Sequence, residues 1–318
     1  MKVNFKFLCS LLLLLSIIGC SSKENKKQDD VKTPEAATST TAIKDFDRPV
    51  PPVMMTNNQD RAAYMIVHYW DKFNFRDTMY CHAPQITDQA FLNYLTHFPY
   101  ATREKRAEGV KKLMEYAIED VVMYNYFYKM AERYLYEPNS QFRNDEFFIP
   151  FLEHVVSSPK VREEDKIRPR FILELAYKNR PGEKALNINY TMYSGQTGTL
   201  YGISAKYTLM MFFSPDCTQC RNLREQMKSS PVLTQSISSG SLKILAIYPD
   251  QDLEVWRKYK DEIPSTWING YDRSLSVREK QIYDLKAIPT LYLLDNNKNV
   301  ILKDASFEAV NQYIAQNP

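Results

Sequence analysis

Thr208-Leu209-Met210-Met211-Phe212-Phe213 is an unbroken apolar run, and the residues that end it bring two cysteines to one place. A strand covered on both faces reads this way, because neither side of its pleat can carry polar groups. Ser214-Pro215-Asp216 then breaks the strand and offers Ser or Asp as a helix N-cap. From Cys217 onward, Leu223, Met227 and Val232 supply apolar positions at helical spacing. Cys217 and Cys220 therefore fall at i and i+3 in the first helical turn, about 5–6 Å apart at Cα and within disulfide reach. The chain is constrained to a strand–turn–helix unit with a dithiol at the helix tip.

That placement gives the two thiols different work. Unpaired N–H groups and the helix dipole stabilise a thiolate at the helix start, which makes Cys217 the nucleophile. Cys220 lies a turn deeper, is more shielded, and suits the resolving role in thiol–disulfide exchange. An inert disulfide shares this spacing, and so does half of a zinc site. Zinc takes four ligands, yet no second Cys-x-x-Cys or Cys/His cluster follows, and His68, His82, His97 and His154 all lie in the other half of the chain.

Before this unit come Ile188-Asn189-Tyr190, Gly195 and Thr199-Leu200-Tyr201, and after it a second apolar strand at Leu242–Tyr248 and a crossover helix at Asp252–Lys260. Ile288-Pro289-Thr290, a hairpin through Asp295-Asn296-Asn297-Lys298-Asn299 and a last helix from Ser306 complete the pattern. From about Asn187 to the C-terminus the chain resembles a thioredoxin-fold domain. The likeness is to the membrane-tethered thiol–disulfide oxidoreductases that include the cytochrome c maturation thioredoxins. The resemblance implies that Ile288-Pro289 is a cis-proline segment beside the dithiol, with the Ile288 backbone pairing an extended substrate. An ordinary trans proline opening an edge strand is the alternative for Pro289, and the upstream dithiol favours the cis reading over it.

Three positions depart from that family. Asp216 stands where Trp is usual, Met211 where thioredoxins bury an Asp, and Leu223 where the maturation proteins have Glu. Asp216 and Glu225 are the remaining candidate carboxylates for taking the Cys220 proton. A thiol peroxidase of the same fold ranks lower, because Met210 occupies a required proline position although Ser214 meets the other condition.

Met1–Cys20 carries Lys2 and Lys6 and then an apolar core, too short for an ordinary membrane span and shaped like a secretory signal. Ser16-Ile17-Ile18-Gly19-Cys20 resembles a bacterial lipobox, which implies cleavage before Cys20 and its acylation. A simple secretion signal is the alternative. Losing Lys2 and Lys6 from 41 basic residues leaves 39 against 38 acidic ones, a mature balance of +1 that gives no case for a nucleic-acid partner. Ser21 to about Lys44 is polar and free of aromatics, so it reads as a disordered tether. Among the five cysteines Cys81 is left without an assigned chemical role, and packing is its expected one.

Residues from about Asp47 to Pro181 show no strand alternation. Thr56-Asn57-Asn58-Gln59 resembles a capping box, followed by a stripe of Ala63, Ile66, Val67, Trp70 and Phe73. Val110, Leu113, Met114, Ala117, Ile118, Val121 and Val122 form one longer stripe. Helices are expected at Thr87–Phe98, Asp145–Ser157 and Glu163–Lys178, with Pro138, Pro150, Pro159 and Pro169 as breaks or first turns. The aromatics Tyr124, Tyr126, Phe127, Tyr128, Tyr134 and Tyr136 read as bundle core before they read as a binding groove. Tyr64 to Phe75, Tyr134–Ser140 and Arg168-Pro169-Arg170 resemble exported lipoproteins of anaerobic Gram-negative bacteria, in which an uncharacterised helical domain precedes a thioredoxin-like one.

The expected fold class is α+β with two domains, an all-α N-terminal helical domain followed by an α/β thioredoxin-fold domain. The expected boundaries are 1–19 for the lipoprotein signal, 20–46 for the tether, 47–183 for the helical domain and 184–318 for the thioredoxin-like domain. The expected activity is disulfide reduction or exchange in exported proteins, with Cys217 and Cys220 catalytic and Ile288 and Pro289 binding substrate. No metal or organic cofactor is implied. The expected partners are exported protein disulfides or dithiols, a membrane electron donor, and the membrane itself through lipid on Cys20. The expected location is the periplasm-facing cell envelope, with the outer membrane favoured. The alternative is a lipid-anchored binding module whose helical half captures a partner.

Overall fold

Six α-helices precede the first strand in the described part of the chain, residues 43–318 of a computed structural model. The signal, Cys20 and most of the tether lie outside the described residues. The helices are α1 (Asn58–His68), α2 (Pro84–Leu95), α3 (Arg103–Ala117), α4 (Val121–Leu135), α5 (Asp145–Ser157) and α6 (Glu163–Ala176). They enclose one aromatic-rich core that includes Trp70, Phe91, Tyr94, Phe98, Phe127 and Phe151. Phe46, expected in the tether, is buried in this core with its ring stacked 5.5 Å from Trp70.

Local chemistry explains where these helices begin. Asn57 caps α1 by accepting the Asp60 N–H at 2.7 Å, so the cap is one residue later than the expected box. The helix stops at His68, and Trp70 and Phe73 reach the core from the turn after it. Pro84 at the first position starts α2 earlier than expected, since a missing N–H costs nothing there, and Phe98-Pro99-Tyr100 forms its own short 3-10 turn. The long stripe Val110–Val122 is two helices, because the Asp120 carboxylate accepts from the Val122 and Met123 N–H groups and opens α4. Val121 and Val122 are consequently exposed. Pro150 and Pro169 lie inside α5 and α6 instead of ending them, and both are buried. Gly109 of α3 lets α1 approach closely: a Cβ there would lie 2.4 Å from Ile66 Cγ2.

The second half is one seven-stranded sheet in the order β2-β1-β5-β4-β3-β6-β7. Its strands are β1 (Asn189–Met192), β2 (Thr197–Thr199), β3 (Tyr207–Phe212), β4 (Leu242–Tyr248), β5 (Ile268–Tyr271), β6 (Thr290–Leu294) and β7 (Val300–Lys303). Parallel β3–β4 and β4–β5 pairs form its middle, and β6 runs antiparallel to β3. Leu209 and Met211 of β3 face a core closed by α7 (Thr218–Lys228), α8 (Pro231–Ser238), α9 (Leu253–Lys258) and α10 (Phe307–Gln316). Met210 and Phe212 face the opposite layer, built from loop residues such as Ile188, Val277 and Tyr283. Val232 belongs to α8, which Ser230 caps, and so does not extend α7. The fold is therefore a helical region followed by a thioredoxin-like α/β sheet domain.

Buried charge joins the halves. Asp145, the first residue of α5, sits 2.9 Å from Lys286 Nζ and 2.8 Å from Lys303 Nζ. The three side chains are 6%, 2% and 5% exposed, so these ions have almost no water to fall back on. Lys303 also donates to the carbonyls of Ala176 and Lys178 at the end of α6, and Lys286 donates to Asp284 at 2.7 Å. Beside Asp145, Glu146 takes both a bidentate Arg180 contact and Arg103.

Burial by itself pushes the Asp145 carboxyl up, yet the two ammonium groups outweigh it and hold that carboxyl below its ordinary value. Such a group stabilises the fold fully above its unfolded pKa of about 3.9 and loses that contribution as pH falls through the folded value. Asp304 moves the other way, because burial raises it despite Arg143, so its protonation returns part of what Asp145 loses. Asp145→Ala leaves two buried ammonium groups facing each other and is expected to cost about 3–5 kcal/mol in denaturant unfolding. Asp145→Asn should also lose less stability than the wild type when the same measurement is repeated on acidification.

Candidate active site

Strand pairing brings the dithiol and the proline together. Phe212, the last residue of β3, is opposite Thr290, the first residue of β6. The segment leaving β3 must then meet the segment entering β6, and these two segments carry Cys217 and Ile288-Pro289. The Ile288–Pro289 peptide is cis. Cys217 Sγ lies 3.5 Å from the Ile288 carbonyl oxygen, to which its thiol donates.

Cys217 itself is the N-cap of α7, in place of the expected Ser214 or Asp216. Ser214-Pro215-Asp216 forms the turn before it, closed by the Cys217 N–H donating to the Ser214 carbonyl at 3.2 Å. As a cap, Cys217 Sγ accepts the Cys220 N–H at 3.1 Å. Cys217 is partly exposed, whereas Cys220 is 2% exposed and packed in the sheet core with Met227. Both are thiols, as is Cys81. Burial first, and the interaction with Cys217 second, push the Cys220 thiol well up. The site therefore holds one reachable sulfur and one protected sulfur.

No carboxylate is brought to Cys220 by the two candidates. Asp216 and Glu225 are exposed, and Glu225 pairs with Lys228 at 3.0 Å. The charged group on the Cys220 face is Arg224, one turn later and 6% exposed, whose guanidinium pulls the Cys220 thiol downward against burial. Glu262 holds Arg224 at 2.6 Å. Its i+4 spacing from Cys220 made Arg224 findable, while Glu262 lies too far along the chain to signal the pairing.

A second set of residues was invisible as a site. Lys286 stands two positions before Ile288 and carries the buried contact to Asp145 of α5. Asp272, fully buried after β5, accepts from Ser274 Oγ, Ser276 Oγ and the Val277 N–H and so shapes the loop that runs up to Ile288.

The remaining sequence candidates lie elsewhere. Cys20 is outside the described residues. Cys81 is partly buried in a short 3-10 turn, 3.8 Å from Met123 Sδ, and burial raises its thiol. His154 meets the Tyr124 hydroxyl at 3.2 Å, and Tyr126 and Tyr134 both donate to Asp88, so these aromatics are core side chains with partnered rims. Among the described residues no group of three or more His, Cys, Asp or Glu side chains is placed to hold a metal. No described helix is long and apolar enough to cross a membrane.

Residues 19–179 match a family described as a domain of unknown function (DUF5106), and residues 204–300 match a family described as thioredoxin-like. Among solved structures, the chain is similar to a thioredoxin-like protein from Bacteroides caccae. The two are 43% identical, with 87% of this chain and 100% of that chain covered and a TM-score of 0.82. It is also similar to the C-terminal domain of an uncharacterised protein from Bacteroides fragilis, at 49% identity over 43% of this chain and 98% of that one, with a TM-score of 0.43. A domain of a possible thiol-disulfide isomerase from Cytophaga hutchinsonii is 25% identical over 44% of this chain and 95% of its own, with a TM-score of 0.38. Among curated proteins none matches.

The split between the two sulfurs has a direct readout. Limiting iodoacetamide at neutral pH, followed by peptide mass mapping of the reduced protein, is expected to label Cys217 first and leave Cys220 unmodified until the chain unfolds. Equal labelling of both would contradict the burial and the raised Cys220 thiol.

Proposed function

This chain belongs to the thioredoxin-like proteins that carry a DUF5106 domain, and from that premise we propose that it is a thiol–disulfide oxidoreductase acting on exported polypeptides. One observation carries the reading: Cys217 caps α7, accepts the Cys220 N–H, and lies against the Ile288 carbonyl, with Cys220 buried behind it. A structural disulfide needs neither the exposed sulfur nor the backbone oxygen beside it.

The Cys217 thiolate attacks one sulfur of a substrate disulfide, forms a mixed disulfide, and expels the other substrate sulfur as a thiolate. Cys220 then gives up its proton and attacks Cys217 Sγ, which releases the second substrate thiolate and leaves a Cys217–Cys220 disulfide. The substrate gains two electrons and the protein loses two. A reductant must return two electrons and two protons, and a membrane electron donor is the proposed source. Ile288 and Pro289 present the substrate backbone to Cys217. No acid or base at Cys220 is assigned to a carboxylate; Arg224 is the charged group that lowers the cost of its thiolate.

The location rests on the sequence. Lipid on Cys20 would anchor the protein to the envelope, with each buried methylene contributing about 0.8 kcal/mol, and the polar segment after it would let the redox domain reach periplasmic substrates. A second reading makes the helical half a capture module. It is favoured by a cavity of about 560 Å³ beside Tyr124 and Tyr128, with Val121 exposed at its edge.

Two substitutions separate these readings. Cys217→Ser is expected to abolish reduction of insulin disulfides by the dithiothreitol-recycled protein while leaving its unfolding curve unchanged. Cys220→Ala, expressed in its own envelope, should accumulate exported proteins bound through Cys217 and released by reductant. An empty trap beside a working positive control, or full biological function in Cys217→Ser, would favour capture over catalysis.

A further inference from the structure

The segment that leads into α1 puts apolar side chains where turns ordinarily carry polar ones. The Met55 N–H donates to the Pro52 carbonyl at 2.9 Å, which closes a turn with Val53 and Met54 at its tip. Those two side chains are 95% and 87% exposed, and Val50 just before the turn is 81% exposed. Turn tips favour Gly, Asn, Asp, Ser and Pro, so adjacent Val and Met gain nothing from the turn itself. Val50 and the exposed Tyr100 also border a cavity of about 490 Å³ that Ala62 and Met65 help to line.

Both ends of this turn are clamped to the helical half. Before it, Phe46 is buried in the aromatic core and the Tyr80 hydroxyl donates to the Lys44 carbonyl at 2.8 Å. After it, the Arg61 guanidinium donates to the Met55 carbonyl at 3.2 Å, and Asn57 caps α1. Pro49, Pro51 and Pro52 fix the backbone between the clamps. The acidic residues of the stretch are engaged, Asp45 with Arg48, Asp47 with Lys72 and Asp60 with Asn57. Arg61 lines the same cavity and has no carboxylate partner among the described residues.

We propose that the Val53-Met54 turn, with Val50 and Tyr100 beside it and Arg61 behind it, is a bilayer-contact site that inserts into the lipid surface to which Cys20 tethers the chain. Two arguments choose a lipid surface over a protein. Only residues 21–42 separate Cys20 from the described fold, and the chain from Phe46 to Val53 spans at most about 25 Å. An anchor at Cys20 therefore keeps the turn at high effective concentration beside the bilayer. A few side chains on one turn also fall short of the roughly 800 Å² per partner that a stable protein interface buries. A bilayer asks less, namely apolar side chains at a tip and a cation for its phosphates. The proposal rests on the lipid anchor of the reading above and is independent of the dithiol chemistry.

The test uses the protein purified from its own envelope, in phosphatidylethanolamine–phosphatidylglycerol vesicles, with Val53→Trp as the reporter. Bromine on the acyl chains quenches only a Trp that reaches them. Trp70, Trp256 and Trp267 are buried, and the wild type serves as the blank for their emission. The emission added by Val53→Trp should move to the blue and be largely lost in brominated lipid. Tyr201→Trp, at an exposed position of the redox half, should keep its emission. Adding Met54→Asp to Val53→Trp should restore most of the loss, because a carboxylate is excluded from the acyl region. Equal quenching at the two reporters, or none at position 53, overturns the proposal. A blue shift without quenching assigns the turn to a protein surface and overturns it as well. Intact mass tests the anchor separately: an unacylated Cys20 overturns the anchor and the proposal together, whereas acylated protein without quenching overturns the contact site alone.

Discussion

One carboxylate at the start of α5 ties the helical half to the loop that carries the redox site. Asp145 is desolvated with both of its lysine partners, one in β7 and one two residues before Ile288. Buried ions of this kind add little net stability when complete, but removing one member leaves charge with no solvent. Their value here is geometric. Lys286 cannot shift without abandoning Asp145 and Asp284, and the backbone beyond it ends against Cys217. The helical half is thus a support for the Lys286–Ile288 segment as well as a neighbour of it.

Part of the strand and helix framework of the redox half was legible in the chain, though β5 was not and α8 read as an extension of α7. The β4 strand, the Asp295–Asn299 turn and the Ser306 cap stand where apolar runs and capping residues put them. The thiol pair was legible too, because its spacing has a direct geometric meaning. Other features were hidden for physical reasons. Asp120 reads as part of a continuous helix face, since a single capping carboxylate inside an apolar stripe leaves the period intact. Pro150 and Pro169 read as breaks, since local rules cannot weigh burial of a proline ring against one missing hydrogen bond. The contacts Asp145–Lys286 and Arg224–Glu262 join residues far apart in sequence, and nothing local marks a charged side chain as buried.

The chemistry of the site follows from unequal shielding. A cap position gives Cys217 an N–H and an opening to solvent, and the next helical turn carries Cys220 into the sheet core. Where related proteins bury a carboxylate, Met211 and Leu223 add only apolar surface, and the nearest charge on that helix face is cationic. A guanidinium favours a thiolate on Cys220 during resolution but cannot remove its proton. Proton departure from the buried sulfur is therefore the step for which the site offers least help.

Catalysis by this site requires above all that the two sulfurs open and close as a pair. Equilibration of the purified chain across glutathione buffers, then acid quench, thiol alkylation and mass measurement, reads that directly. The expected result is a single reversible transition between dithiol and Cys217–Cys220 disulfide, with a tenfold change in ratio for about 30 mV, as a two-electron couple requires. A protein whose cysteines stay in one state from fully reducing to fully oxidising buffer would contradict it.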